Sequence, residues 1–448
     1  MKNTIKLPSW QEILSDALIK RSFGSPELQG LISKAQKEYL SWDAFRYQKM
    51  PVGFNPEEAW AILKLNRMSL YQSTPIKAND GRHFQFALTN DLYGKLNFID
   101  TYASGFIKTF SDTKPSEAEK NKFIITGLTE EAIATSQIEG ANTTRQAAKE
   151  MLASKREPRT KGEQMIVNSY QVMQKLEVWK TLDLGRDMLL EIQKMITEKT
   201  LENVSNHGRF RKDNDTIIVH DPITGEIVHT PPKEQEMHRQ LELFIQFANK
   251  IEGDGDFIHP VIKASILHFW LAYLHPFVDG NGRTARAVFY WYLLKKEYWL
   301  VQYLSISRAI IQSRKKYDNA FIHSESDDND LTYFISHMAD VFRISIVKFV
   351  GYFEKKISEI EEFRKTADRL EDYNERQIAL LHYFMDNPTE ITDVNMHQSR
   401  QGVSHQTAHM DLMDLVKKGM LAQTIKKGTR KYIFMPNLLL IKKIFKHM

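Results

Sequence analysis

Twelve residues, His275-Pro276-Phe277-Val278-Asp279-Gly280-Asn281-Gly282-Arg283-Thr284-Ala285-Arg286, gather one imidazole, one carboxylate, two glycines, an amide and two guanidinium groups. That set suits a phosphate-binding loop with a base beside it. An imidazole titrates near neutrality, at about 6.5 when unperturbed, so His275 can accept a proton at working pH. Pro276, Gly280 and Gly282 break a helix and let successive backbone N–H groups turn into one concavity, where anions bind. Arg283 and Arg286 stand three apart and, on a helix, project from neighbouring points, so their guanidinium forks can grip adjacent phosphate groups. Asp279 would repel those phosphates unless a cation lay between, and Mg²⁺ takes one or two carboxylates together with phosphate oxygens.

The elements that must position this loop are helices. An apolar run, Ile266–Leu274, precedes it, and a second helical run, Arg283–Lys295, follows with its N-terminal dipole facing the loop. Taken singly the parts have ordinary roles, since a histidine at a helix end commonly caps or packs and Gly-Asn-Gly is commonly a turn. Their joint spacing is what points to a site. Upstream, residues 129–140 predict a short helix with Thr129 as N-cap, acids in the first turn and Gly140 as stop. Glu139 then sits at the end where the helix dipole disfavours it, so a positive group must offset it or water must solvate it. Between these regions, two β-branched runs around Pro222 and Gly225 predict a hairpin over 217–230, and an exposed edge strand can pair with an extended segment of another protein.

The dodecapeptide resembles the motif of the Fic (Fic/Doc) family, His-x-Phe-x-Asp/Glu-Gly-Asn-Gly-Arg-x-x-Arg, and meets every fixed position. The resemblance implies a mainly α fold: a Fic-type helical bundle with a β-hairpin flap. It implies a nucleotidyltransferase, a protein adenylyltransferase that moves AMP from ATP to a Ser, Thr or Tyr hydroxyl of a protein and releases pyrophosphate. His275 would be the general base and Asp279 the Mg²⁺ ligand, while Phe277 would anchor the loop. Gly280, Asn281, Gly282 and Thr284 would lie around the α- and β-phosphates, with Arg283 on the β-phosphate and Arg286 on the γ-phosphate. Thr135-x-x-x-Glu139-Gly140 matches the family's inhibitory motif, which implies that Glu139 pairs with Arg286 and blocks the γ-phosphate position. Because this motif comes first in the chain, the resemblance is to the group with an internal N-terminal inhibitory helix. The flap, with Val228, His229 and Thr230, would align the target hydroxyl, and Gly208-Arg209-Phe210-Arg211 matches the family's Gly-x-Phe-Arg approach to it. Tyr317 would lie near the adenine. The chain departs from the family at Ser324-Glu325-Ser326-Asp327-Asp328, where Asn-Glu-Gly-Asp is common, so base selectivity does not carry over.

Composition frames this site. A chain of 448 residues exceeds one ordinary core, and the absence of cysteine excludes disulfides, thiol catalysis and thiolate metal sites. His268 and His275 share a helical face without a third ligand at metal spacing, so no zinc site is expected. The first residues lack an apolar signal-like core and no run of about 18 apolar residues occurs, which predicts a cytoplasmic protein without a membrane partner. The expected division is an N-terminal region (1–110), a Fic domain (111–350), a linker helix (351–373) and a C-terminal domain (374–448). The last holds eleven Lys and Arg against six Asp and Glu, a charge of +5 that equals the net charge of the whole chain. Its pattern of helix (Glu375–Met385), short segment (Ile391–His397), longer helix capped by Ser404, and two strands around Lys426–Arg430 resembles a winged helix-turn-helix. Such a domain would bind DNA, a protein partner or a second copy of the chain. Two alternatives to AMP transfer stay open: a DNA-binding regulator whose Fic domain senses nucleotide, and removal of AMP or transfer of another nucleotide by the same site. The protein substrate could be another protein or the chain itself.

Overall fold

The structure is a computed structural model that describes residues 7–104, 117–215, 217–220, 225, 227–250, 257–367, 372–388, 390–425 and 432–446. In chain order its elements are α1 (Trp10–Ile13), α2 (Asp16–Phe23), α3 (Pro26–Lys37), α4 (Trp42–Phe45), α5 (Pro56–Met68), β1 (Tyr71–Lys77), β2 (His83–Ala87), α6 (Asn90–Ala103), α7 (Glu117–Ile138), α8 (Arg145–Ser154), α9 (Lys161–Trp179) and α10 (Arg186–Thr197). There follow β3 (Val219–His220), β4 (Ile227–His229), α11 (Glu234–Asn249), α12 (Pro260–Leu274), α13 (Asn281–Lys295), α14 (Ile306–Gln312), α15 (Arg314–Ser326) and α16 (Thr332–Ala367). The chain closes with α17 (Glu375–Asp386), α18 (Val394–Gln401), α19 (His405–Lys417), β5 (Leu421–Ile425), β6 (Tyr432–Pro436) and α20 (Leu438–Lys446). The fold is mainly α, and the described residues form three two-stranded antiparallel pairs, β1–β2, β3–β4 and β5–β6. Two compact units part within α16, between Val350 and Gly351.

The core of the first unit is built on α12 and α13. Both are buried on nearly every side, Trp270, Phe269 and Leu267 from one and Trp291, Tyr290 and Val288 from the other being among the most enclosed residues. A helix apolar all round belongs in the middle of a bundle. Around this pair lie α7, α9, α10 and α11. Helix α7 is longer than the 129–140 helix expected: it begins at Glu117, so Thr129 lies in mid-helix and is not a cap. The acids that suggested a first turn have other partners, Glu130 pairing with Arg145 and Lys149 while Glu131 is buried. Gly127 lets α7 close on the chain beside it, since a Cβ there would come within 2.6 Å of the Tyr303 backbone.

The described part of 1–110 shares this unit. It holds a hairpin that the apolar pattern did not suggest, β1 pairing β2 from Tyr71↔Ala87 to Lys77↔His83. Asn79-Asp80-Gly81 forms its turn, with Gly81 at φ +83°, as an Asp-Gly pair between strands allows. The N-terminal helices join the turn after α15 through buried ion pairs. Lys64 Nζ lies 2.7 Å from Asp327 and 3.2 Å from Asp328. Tyr333 donates to Asp327 at 2.7 Å, and Tyr39 and Tyr71 donate to Asp330 at 2.6 and 2.8 Å. The acidic stretch that departs from the family pattern is therefore a structural hub.

The second unit has its own core of Leu380, Leu381, Phe384, Leu412, Leu415, Phe434 and Ile441. Asn374 and Gln377 form a capping box on α17, and Ser404 caps α19 by accepting from Thr407 N. In the expected short segment, Thr392 bridges to Phe434 and Asp393 caps α18. The expected separate linker helix is instead the continuation of α16 to Ala367. The basic tip Lys426–Arg430 lies outside the described residues. Among the described residues no helix is long and apolar enough to cross a membrane.

Candidate functional site

Helix α12 ends at His275, which takes left-handed backbone angles (φ 47°, ψ 58°) before Pro276 turns the chain away. A bulky residue seldom adopts that conformation, and here it stands at the C-cap of the helix. Nδ1 lies 3.2 Å from the Ala272 carbonyl, which can only accept, so Nδ1 carries the proton and Nε2 presents its lone pair. Burial pushes the pKa of His275 down to about 4, helped by the nearby His229 and Arg211 and opposed by the Ala272 contact and Glu139. The ring is held in its basic form at neutral pH.

The loop after it is braced from within. The Asn281 side chain accepts from Phe277 N at 2.9 Å and donates to Phe277 O at 2.8 Å, so both ends of the amide shape the loop. Phe277 is fully buried and stacks on Phe210 at 5.4 Å. Arg211 donates through Nε to His275 O at 2.7 Å, and through Nη2 to both Pro232 O at 2.5 Å and Leu274 O at 3.2 Å, while its backbone N–H reaches Pro276 O. Gln193, which sequence patterns did not single out, spans Gly208 N and the Asp279 carbonyl at 2.7 and 3.4 Å. Gly280 has φ +88°, and a Cβ there would press on Thr197 at 3.1 Å. A substituted residue would be strained twice over.

Helix α13 starts at Asn281 with Gly280 as N-cap, so the amides of 281–283 head toward the loop, while Thr284 N already bonds Gly280 O. Arg283 is buried, bonded to Ile196 O at 3.0 Å and 3.4 Å from Asp279 Oδ1. Asp279 keeps 44% of its side chain exposed. Thr284 is buried, and its hydroxyl finds no partner among the described residues. Arg286 is held by the end of α7 and the residue after it: Nε donates to Thr135 Oγ1 at 2.7 Å, and Nη2 to Thr135 O at 3.1 Å and Glu139 Oε1 at 2.8 Å. A Cβ on Gly282 would overlap the Glu139 carboxylate, which therefore lies directly over the start of α13. Burial works against the charge of Glu139, but Arg286, Arg283 and Arg314 outweigh it and hold the carboxyl below its usual range.

Gly140, at φ +89°, ends the segment, and Arg314 caps it by donating to Ile138 O at 3.0 Å. Glu131, Thr135 and Glu139 recur every four residues, the spacing of one helical face, and all three act near Arg286. That period was available in the sequence; Arg314 had no such signal.

Tyr317 is buried and 2.9 Å from His268 Nε2, with its hydroxyl against Arg286. It braces the arginine from behind. In the flap, β3 and β4 pair Val219↔His229 and His220↔Ile227, while residues 216, 221–224 and 226 of the predicted hairpin region lie outside the described residues. Val228 is exposed, Thr230 O accepts from Asn79 Nδ2 at 3.2 Å, and the His229 ring is turned inward. No group of three or more His, Asp or Glu suited to a metal ion occurs among the described residues.

Residues 182–293 match the family model described as Fic/DOC family. That stretch contains the loop and most of α13, but not Glu139 or Tyr317. Two relatives named protein adenylyltransferase Fic are similar over short segments. The one from Nematostella vectensis is 35% identical over 79 residues, 18% of this chain and 16% of its own. The one from Drosophila grimshawi is 33% identical over 70 residues, 16% of this chain and 14% of its own. The chain thus covers well under a fifth of the length of these relatives. Among solved structures, a Fic family protein from Desulfovibrio desulfuricans has 17% identity and a TM-score of 0.48, covering 79% of this chain and 97% of that one. Fic-1 from C. elegans has 17% identity and a TM-score of 0.48, covering 74% and 86%.

Proposed function

We propose that this chain transfers AMP from ATP to a protein hydroxyl and that Glu139 restrains the reaction. The observation that carries this is the place of the Glu139 carboxylate: it lies on Arg286 and over Gly282, where a helix N-terminus and two arginines favour an anion. The chain's own acid occupies an anion site. Displacing it would free Arg286 for the γ-phosphate, leaving Arg283 and the 281–283 amides for the phosphates nearer the nucleoside.

In the reaction, a Ser, Thr or Tyr oxygen attacks the α-phosphorus, the bond to the bridging oxygen of the β-phosphate breaks and pyrophosphate leaves. His275 Nε2 takes the hydroxyl proton. Asp279 is the residue to hold Mg²⁺; one largely exposed carboxylate beside a phosphate site fits an ion that takes few protein ligands, and the ion would neutralise phosphate charge. The protein's own contribution is positioning and charge. The donor nucleotide, the flap as target dock and autoinhibition all belong to this proposal.

The test is Glu139→Gly, incubated with Mg²⁺ and each NTP in turn and read by intact-protein and peptide mass spectrometry. An AMP adduct on a hydroxyl residue, with transfer at least about tenfold above the parent chain, is expected from removal of one charged competitor worth 1.4 kcal/mol or more. No adduct with any of the four nucleotides would remove the transferase reading.

A further inference from the structure

Flap and catalytic loop meet at one histidine. His229 ends β4, and its side chain is only 9% exposed. Nδ1 lies 2.8 Å from Glu325 Oε2 and Nε2 lies 2.7 Å from Tyr273 O, with the ring 4.7 Å from that of Tyr273. A carboxylate and a carbonyl have no hydrogen to give, so both ring nitrogens must donate, as in a doubly protonated imidazole. The next residue is held as well, because Asn79 donates to Thr230 O and its own N–H binds Tyr273 Oη at 3.0 Å.

Both anchors lead somewhere. Tyr273 lies two residues before His275 on the same helix end. Glu325 lies two residues before Asp327, which Lys64 and Tyr333 fix in the buried hub. The flap needs such anchoring. Its described strands share only two residue pairs, and Ile227 and Val228 on β4 are exposed. An isolated ribbon of that size is not stable by itself in water.

We propose that His229 is a positioning residue for AMP transfer: gripped by Glu325 and the Tyr273 carbonyl, it fixes the flap strand against the end of the helix that carries His275. A hydroxyl paired along the flap then arrives at Nε2. This rests on the transferase reading and adds what sets the distance between target and base.

In the Glu139→Gly background, His229→Ala, His229→Gln and Glu325→Ala are compared by two independent readouts. The first is hydrogen exchange at amides 227–230, expected to rise about tenfold or more in His229→Ala and Glu325→Ala as the local opening energy falls. The second is transfer at saturating ATP, expected to fall by about 10²-fold from lost alignment while the Kd for ATP stays within about twofold. His229→Gln, which keeps a single donor, should fall between parent and alanine. Unchanged exchange in both alanine variants overturns the clamp, whether or not AMP is transferred. Raised exchange with unchanged transfer overturns the positioning role. A Glu139→Gly chain that binds ATP but transfers nothing fails the transferase reading and takes the positioning role with it.

Discussion

Two arginine–carboxylate pairs, one in each unit, have opposite burial. In the first unit Arg286 is 4% exposed and Glu139 32%. In the second Arg376 is 36% exposed and Asp411 4%. Arg286 is fixed by two bonds to Thr135, and its acid reaches in from a chain segment ending at Gly140. Asp411 is fixed by Asn374, Arg376 and His397 together, and its arginine is the outer partner. The buried member of a pair is held by structure, whereas the exposed member can leave. A buried cation with a removable acid is an anion site; a buried acid with an outer cation is a brace. Net charge points the other way, since the region from residue 374 carries the whole excess of +5. Enclosure, not the number of cations, distinguishes the two.

The largest effect expected from this contrast is chemical. In the Glu139→Gly background, His275→Ala should lower transfer by about 10²–10⁴-fold, the usual loss of a general base, measured with labelled ATP. Protonated His275 cannot accept a proton. With its pKa pushed down to about 4, the acid limb of kcat/KM should lie near that pH and not at the ~6.5 of an ordinary histidine. A limb near 6.5 would mean the base is not buried as described.

A smaller effect separates the two pairs thermodynamically. ATP at about 100 times its Kd should stabilise Glu139→Gly by about 2.7 kcal/mol, read as a rise in Tm. Asp411→Ala should instead destabilise the second unit by about 1–3 kcal/mol by removing a buried acceptor of several bonds, with no gain from ATP beyond that of the parent chain. If ATP rescued Asp411→Ala specifically, the distinction between site and brace would fail.

The smallest effect concerns DNA. The exposed face of α19 carries His405, Gln406, His409, Met410, Met413 and Lys417, so methionine stands where a phosphate-reading helix would carry arginine. Mobility shifts at physiological salt should show no more than nonspecific affinity, a Kd of about 10⁻⁶–10⁻⁴ M. Tighter binding with a steep salt slope would restore the regulator alternative.

Much of the first site was legible because its signals are local. His275, Asp279, Arg283 and Arg286 lie within one turn and one helix start, and Glu139 follows Thr135 at the spacing of a helical face. Other features had no local mark. Thr129 resembled a cap, yet α7 runs through it because Glu130 finds Arg145 and Lys149, residues distant in sequence. Asn281 carries the motif's expectation of a place beside the phosphates, and no local pattern marks the further role of its amide in bracing Phe277. The stretch 324–328 departs from the family pattern, and its Asp327 and Asp328, with Asp330 just beyond, form the hub that ties the N-terminal helices to α15 and α16.

The sequence by itself determined the chemistry on offer: which groups can bind phosphate, which can take a proton, and which share a turn or a helical face, because glycines and helical spacing act within a few residues. Tertiary structure decided which of those groups are exposed and what they face. Glu139 over Gly282, Arg211 under the His275 carbonyl and His229 between Glu325 and Tyr273 each join segments dozens of residues apart or more. Burial, hydrogen-bond direction and charge pairing depend on distance in space, and no local pattern of residues records that.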